Sequence, residues 1–377
     1  MNKTLFLSCL LIFSTSYAKT PALKQLKMPE GFKVEIFAEN VPNARHMALG
    51  DQGTVFIGST QAGKVYALVP TKERLAKPQL KIIAKNLNQP QGVAFYQGNL
   101  YVAEINRIIR YEQIEKRLDH PPPAKLVTDN FPMTSDQQSL IHAWKTIHIG
   151  PDHKLYVAIG APCNSCLAKD PRIGSLMRME LDGSHMEIYA KGVRNSVGFA
   201  WQPKTNKLWF TDNGRDYLGD DIPPDKLNYA PNEGLDFGFP YYHGKDGQGK
   251  PIADPQWGKL RSTQGISWEA CSLPAHVAAL GMVFYTGQMF PSEYHNQIII
   301  AEHGSWNRSK KIGYRLSLVK VKGDRALSYR PFITGWQKNG KFWGRPVAPL
   351  VMPDGSLLVS DDYAGVVYRF SYQNSNH

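Results

Sequence analysis

Apolar and polar positions along this chain fall into short runs, and the runs come in pairs: an apolar run, a turn rich in Gly, Pro, Asp or Asn, then a second apolar run. Turn-separated runs of this kind predict β-strands, and strong 3.6-residue helical patterns are scarce. The paired unit recurs. It reads RHMALGDQGTVFIGSTQAGKVYAL from Arg45, QGVAFYQGNLYVAEINRIIRY from Gln91, KTIHIGPDHKLYVAIG from Lys145 and NSVGFAWQPKTNKLWFTD from Asn195. LGMVFYTG from Leu280, continued by NQIIIAEHG, and VAPLVMPDGSLLVSDDYAGVVYRF from Val347 bring the copies to six. Repeats of about 40–60 residues built this way are the sequence form of propeller blades, because one four-stranded sheet cannot bury both its faces alone. The prediction is an all-β, six-bladed β-propeller; a pair of β-sandwiches would not produce six copies of one unit. GFKVEIFAENV (Gly31–Val41) alternates apolar with polar positions ahead of the first copy. It is expected to form the outer strand of the last blade and close the ring. Residues 212–275, rich in Pro, Gly and Asp, are expected to be long loops on the ligand face.

The first residues change the picture of where such a protein works. Lys3, an apolar run from Leu5 to Phe13 and the small-residue stretch Ser16-Tyr17-Ala18 form the three-part pattern of a secretory signal peptide. The run is shorter than the roughly 20 residues that span a bilayer. Residues 1–18 are therefore expected to be cleaved, leaving 19–377 as a single periplasmic propeller domain whose mature chain does not insert in a membrane. Removing them takes away one lysine and no acid from a net charge of +12, so the remainder stays basic at about +11. No Lys/Arg block is interleaved with aromatics, which argues against nucleic acid as a partner. A diffuse basic surface suits steering toward an acidic partner or an anionic cofactor. Beyond residue 18 the cysteines are Cys163, Cys166 and Cys271. Leu167 stands where a c-type haem site needs histidine, and no second CxxC completes a zinc site. In an oxidising compartment Cys163 and Cys166 are expected to form a local disulfide.

Candidate chemistry sits at one recurring place. Innermost strands of a propeller converge on its axis, so the residues at or just before each repeat's first strand share a funnel. Here they are Arg45, Gln91, His142 with Lys145, Arg194 with Asn195, His276 and Arg345. A ring so rich in Arg and His is costly to bury without an anionic or hydrogen-bonding partner. It points to a polyanionic ligand on the axis. His142 is a candidate base for a substrate hydroxyl, whereas His148, inside a strand, reads as structural. TDNGRDYLGDD carries Asp212, Asp216, Asp220 and Asp221, which suit either a hard cation or a solvated loop. No GxSxG elbow supports serine hydrolysis.

GVRNSVGFAW (Gly192–Trp201), followed by TDNGRD and FGFPYYHG, resembles the soluble quinoprotein sugar dehydrogenases, and more closely their sorbosone dehydrogenase branch. The resemblance implies oxidation of a sugar or polyol by hydride transfer to pyrroloquinoline quinone (PQQ), with Ca2+ beside the cofactor and a cytochrome or quinone as electron acceptor. It places His142 as the base and Arg194 and Asn195 beside the reactive quinone carbonyl. Gly214 and Arg215 would supply calcium-binding backbone carbonyls, and Arg345 would pair with a cofactor carboxylate. Arg45, Gln91 and Lys145 join the cofactor-binding set from the funnel, and Arg308 stands in for the family's cofactor-binding lysine. The chain departs from the pattern at Ala161 and Ile141, where the glucose dehydrogenases carry acidic residues, so the group that orients His142 is left unassigned. Rival readings are a calcium-dependent propeller lactonase and a propeller that binds carbohydrate or protein without turnover.

Overall fold

The computed structural model describes residues 21–71, 77–132 and 142–373. The expected signal peptide lies outside them. Six antiparallel blades surround one axis. Blade 1 comprises Ala44–Leu49, Val55–Ser59, Val65–Val69 and Gln79–Ala84. Blade 2 comprises Gly92–Tyr96, Asn99–Ala103, Ile108–Tyr111 and Lys125–Thr128. Blade 3 runs Ile147–Ile149, Leu155–Ile159, Ser175–Met179 and Glu187–Lys191, and blade 4 runs Phe199–Trp201, Leu208–Asp212, Asp225–Ala230 and Cys271–Leu273. Blade 5 is Ala279–Phe284, Ile298–Glu302, Arg315–Lys322 and Arg325–Ile333. Blade 6 is Pro346–Val351, Leu357–Asp361 and Val366–Tyr372, completed on its outer edge by Phe32–Ala38. That last pairing, Phe32 opposite Tyr372 through Ala38 opposite Val367, closes the ring as the sequence pattern anticipates.

Burial explains why the second strand of each copy was the easiest to see. Val55–Ser59, Leu155–Ile159, Leu208–Asp212, Ile298–Glu302 and Leu357–Asp361 are buried at every residue, because a neighbouring blade covers each face. Outer strands such as Phe32–Ala38 and Gln79–Ala84 alternate, with one face toward solvent. Apolar side chains gather into one cluster at each blade interface, for example Phe56 and Val65 with Val93 and Leu100 between blades 1 and 2. Close approach at the axis depends on glycine. A Cβ on Gly92, Gly198 or Gly281 would meet the next blade's backbone at Lys145 O (2.4 Å), Leu280 O (2.2 Å) or Ala348 Cα (2.7 Å). Between these strands Val197, Leu280, Val347 and Ala348 form a small apolar plug on the axis.

Residues 212–275 are not all loop. Asp225–Ala230 and Cys271–Leu273 are the two outer strands of blade 4, and Leu235–Asp236 adds in parallel to the edge of blade 3. Asp225–Ala230 escapes a hydrophobicity reading because it pairs partly through charge: Lys226 lies opposite Asp212, with Nζ 2.8 Å from Oδ2. The remainder includes a hairpin of Tyr242–Lys245 and Pro251–Ala253.

Ring closure rests on Phe32, whose ring sits 4.7 Å from Phe290, 5.2 Å from Phe332 and 5.1 Å from Tyr372, tying the closing strand to blade 5 as well as blade 6. Phe32→Ala is expected to lower the unfolding free energy by about 3–5 kcal/mol, the usual cost of emptying a buried aromatic site. Equilibrium urea denaturation checks this, and a loss below about 1 kcal/mol would contradict it.

Candidate active site

Because each inner strand starts at the same end of the axis, the residues at or just ahead of those strands meet there. Arg45 Nε donates to Gln91 Oε1 (3.0 Å), and Gln91 Nε2 donates to Thr146 Oγ1 (3.3 Å), linking blades 1, 2 and 3. Arg45 Nη1 and Arg345 Nε both reach Asp362, at 3.0 and 3.1 Å, and His303 Nε2 lies 3.1 Å from both oxygens of the same carboxylate. These three partners hold the Asp362 carboxyl well below the usual carboxylate range despite its burial. The Arg45 guanidinium also lies over the Trp144 ring, 5.3 Å from its centroid.

Lys145 is different. It is buried, its Nζ donates to Ala143 O (2.9 Å) and lies 5.5 Å from the Phe131 ring centre, and among the described residues it has no carboxylate partner. Burial alone pushes its pKa down to about 8. Two of its N–H bonds, Arg45 Nη2, both terminal nitrogens of Arg345 and the Asn195 side-chain amide have no hydrogen-bond partner among the described residues.

His142 supplies the candidate base, and the backbone orients it. Its Nδ1 lies 2.8 Å from Ala161 O, so Nδ1–H donates to that carbonyl and Nε2 carries the free lone pair. Where the family pattern uses an acidic side chain, a main-chain oxygen does the work at Ala161. His142 adopts a left-handed backbone (φ 60°), and a Cβ on Gly160 would strike its carbonyl oxygen and Cβ at 2.5 and 2.6 Å. Burial first, then the nearby Arg194 charge, lowers the His142 pKa to about 3, so the imidazole is neutral at neutral pH.

Arg194 is buried, with all five N–H bonds engaged. Nε donates to Asn164 O (2.8 Å). Nη2 donates to Asn164 Oδ1 (2.9 Å) and Asp216 Oδ2 (3.2 Å), and Nη1 donates to Gly214 O (2.7 Å) and Asn213 O (3.4 Å). Asn195 is fixed by its backbone, N donating to Asp212 Oδ1 (2.7 Å) and O accepting from Asn213 Nδ2 (3.0 Å). His276 Nε2 bonds Gly219 O (2.8 Å), and its other nitrogen lies 3.9 Å from Asp216 Oδ1.

Gly214, Arg215 and Arg308 make no contact with Asp362 among the described residues. The Gly214 carbonyl accepts from the Arg194 guanidinium, which leaves its second lone pair free, and the Arg215 side chain pairs with Asp254. No group of three or more His, Cys, Asp or Glu suited to a metal occurs among the described residues. A cation held by the main-chain carbonyls of Gly214 and Arg215 is compatible with these contacts. Arg308 donates to Asp220 O and Asp221 Oδ1 on the neighbouring loop and shares no partner with Arg45 or Arg345. Of the four acidic residues in that stretch, Asp212 pairs with Lys226, Asp216 with Arg194, and Asp220 and Asp221 meet the loop at Arg308 and Ser309. Asp362, His303 and Asn164 were not anticipated; only the repeated DD at the end of the sixth copy hinted at any of them.

Beneath the funnel His46 is buried, with Nε2–H donating to Val197 O (2.7 Å) and Nδ1 without a partner among the described residues. Near it His148 is held at 4.8 Å from Phe199, edge to face, and burial lowers its pKa to about 4.

A six-bladed propeller that sets a neutral imidazole beside cationic groups with unused donors has the groups to hold an anion next to a base. Comparison with known proteins agrees in class. A model of the family Glucose / Sorbosone dehydrogenase matches residues 106–305. An uncharacterized protein of Borreliella burgdorferi is 35% identical over 372 residues, covering 96% of this chain and 95% of that one. The holo form of the pyranose dehydrogenase PQQ domain from Coprinopsis cinerea superposes with a TM-score of 0.78 at 15% identity, covering 92% and 97% of the two chains. The PQQ-bound aldose sugar dehydrogenase of Streptomyces coelicolor gives 0.65 at 17% identity, covering 92% and 100%. The structural likenesses establish the fold. The chain belongs to the glucose/sorbosone dehydrogenase family, a family of sugar oxidoreductases.

The His46 environment carries a pH signature. Burial, then the charges of His148 and Arg45, lower its pKa to about 3 from 6.5 in the unfolded chain. Between those values the unfolded state binds a proton that the folded state does not, so this contribution to stability is full above about pH 6.5 and is lost as pH falls toward 3. Wild-type protein is expected to lose about 2 kcal/mol more than His46→Gln between pH 7 and 5. Urea midpoints at the two pH values check this, and identical pH dependence in both proteins would contradict it.

Proposed function

We propose that this protein oxidises a hydroxyl of a sugar or related polyol in the periplasm, with PQQ bound at the polar end of the axis. The observation that carries the reading is the His142 arrangement: Nδ1–H fixed on Ala161 O, Nε2 unprotonated, and Lys145, Arg45, Arg345 and Asn195 nearby in the same funnel with donors to spare. Those donors fit a quinone that carries several carboxylates. The Cys163–Cys166 disulfide is consistent with an oxidising compartment.

Lys145, Arg45 and Arg345 would hold the carboxylates, and Asn195 would offer its amide. PQQ, when bound, supplies a two-electron acceptor for hydride. His142 Nε2 accepts the hydroxyl proton as the alcohol carbon is oxidised. Its Nδ1–H remains on the Ala161 carbonyl, which stabilises the imidazolium that forms. In the protein alone burial and then the Arg194 charge make His142 a weak base. Negative charge in the funnel offsets the guanidinium and raises the imidazole toward the working range. Arg194 acts through its charge, since its N–H bonds are taken. Calcium, when bound, would take the main-chain carbonyls of Gly214 and Arg215 and offset negative charge on the cofactor.

His142→Asn tests the base, because asparagine tolerates the left-handed backbone that His142 adopts (φ 60°). PQQ affinity should stay within a few-fold of wild type while turnover with aldoses and polyols, read by dye reduction, falls by about 10²–10⁴. Wild-type turnover in the PQQ-loaded variant would remove His142 from the chemistry.

A further inference from the structure

The CNSC segment does more than brace a loop. Each of its two middle residues is tied down by several bonds. Asn164 turns toward the funnel. Its main-chain oxygen accepts from Arg194 Nε (2.8 Å), and its Oδ1 accepts from Arg194 Nη2 (2.9 Å) and from Asp216 N (2.8 Å). Its Nδ2 donates to Asp216 O (3.1 Å). Ser165 donates to Asp254 Oδ2 (2.7 Å), a buried carboxylate that also receives Arg215 and His243. Trp257 Nε1 donates to Ser165 O (3.4 Å). On either side Cys163 and Cys166 are joined by the disulfide, with both cysteines partly accessible.

Asn164 is the only residue among the described ones to give Arg194 two acceptors through two different groups, one main-chain and one side-chain. Together they fix the guanidinium by its Nε–Nη2 edge and aim Nη1 at Gly214 and Asn213. Such two-point contact sets the plane of a guanidinium as well as its position. A four-residue segment without helix or strand would not hold two acceptors in register by itself; the disulfide removes the freedom that would let Asn164 swing away.

We propose that Asn164, held by the Cys163–Cys166 disulfide, is the positioning residue for Arg194, and that the oxidation state of this disulfide therefore tunes the active site. The inference rests on the reading of Arg194 as part of that site. Reduction by a dithiol breaks the S–S bond, delivers two electrons and two protons to give two thiols, and leaves the reductant as its own disulfide. The freed segment no longer holds the Asn164 carbonyl against Nε, and the guanidinium loses its fixed plane while the propeller stays folded.

The test begins without cofactor. In the apoprotein the Arg194 Nε–H and Nη2–H signals, observed by ¹⁵N NMR, should exchange slowly with solvent, and in Asn164→Ala, which keeps the main-chain oxygen on Nε, the change is read at Nη2–H. Exchange should quicken by at least about tenfold in Asn164→Ala, in Cys163→Ser/Cys166→Ser, and in wild type treated with dithiothreitol, all with unchanged far-UV circular dichroism. A double-mutant cycle should show coupling, because the disulfide acts through Asn164: adding Asn164→Ala to the double serine variant should change exchange less than it does in wild type. Unchanged exchange in Asn164→Ala and in reduced protein, or strictly additive effects, would overturn the proposal. In the PQQ-loaded enzyme the same variants should lower kcat more than they raise KM. Quickened exchange with full turnover would leave the clamp standing and remove Arg194 from catalysis, so the two readings fail separately.

Discussion

Asp362 is the carboxylate on which the funnel depends. It receives Arg45 from blade 1, His303 from the segment after the second strand of blade 5, and Arg345 from the entry to blade 6. Without it two buried or half-buried guanidinium groups would repel across the seam where the ring closes, and an unpaired charge in such a place is strongly destabilising. Its neighbour Asp361 turns the other way. It accepts from the backbone N–H groups of Arg345, Tyr363 and Ala364 and from the Tyr368 hydroxyl (2.8–2.9 Å), which fixes the turn that presents Asp362 to the axis. One carboxylate shared among three partners still leaves donors unused. Those donors, with Lys145, which has no carboxylate partner among the described residues, suit this end of the axis to an anion.

The same economy of partners distinguishes the two sides of the funnel. On the Asp362 side the cations are under-compensated. On the Arg194 side every N–H is satisfied, by main-chain oxygens of Asn164, Asn213 and Gly214 and by Asn164 Oδ1 and Asp216 Oδ2. A ligand can join the first set without breaking anything, whereas it joins the second only by displacement. In the proposed mechanism binding and charge stabilisation are thus separated in space, with His142 beside the saturated side.

The blades were legible in the sequence because burial on both faces makes each second strand a continuous apolar run bounded by turn residues. The funnel residues were legible for the same reason: once the inner strands are in register, Arg45, Gln91, Lys145, Arg194, His276 and Arg345 fall at one end. The outer strands of blade 4 were hidden, one by the Asp212–Lys226 ion pair and the other by the insertion that precedes it. The support for His142 was hidden more deeply, since a carbonyl such as that of Ala161 belongs to every residue and leaves no mark on composition. Asn164 stood in plain view inside a CxxC whose spacing draws attention to its cysteines.

The central claim is that cationic donors left over after Asp362 is satisfied hold an anionic quinone. Lys145 makes it measurable, because burial places its pKa at about 8, within reach of experiment. Apoprotein titrated with PQQ, followed by quenching of tryptophan fluorescence, should bind tightly at pH 7. Above about pH 8 the affinity should fall by roughly tenfold per pH unit as Lys145 loses its proton, and Lys145→Met should bind weakly without that dependence. Failure to bind PQQ, or an affinity indifferent to both pH and Lys145, would contradict the account.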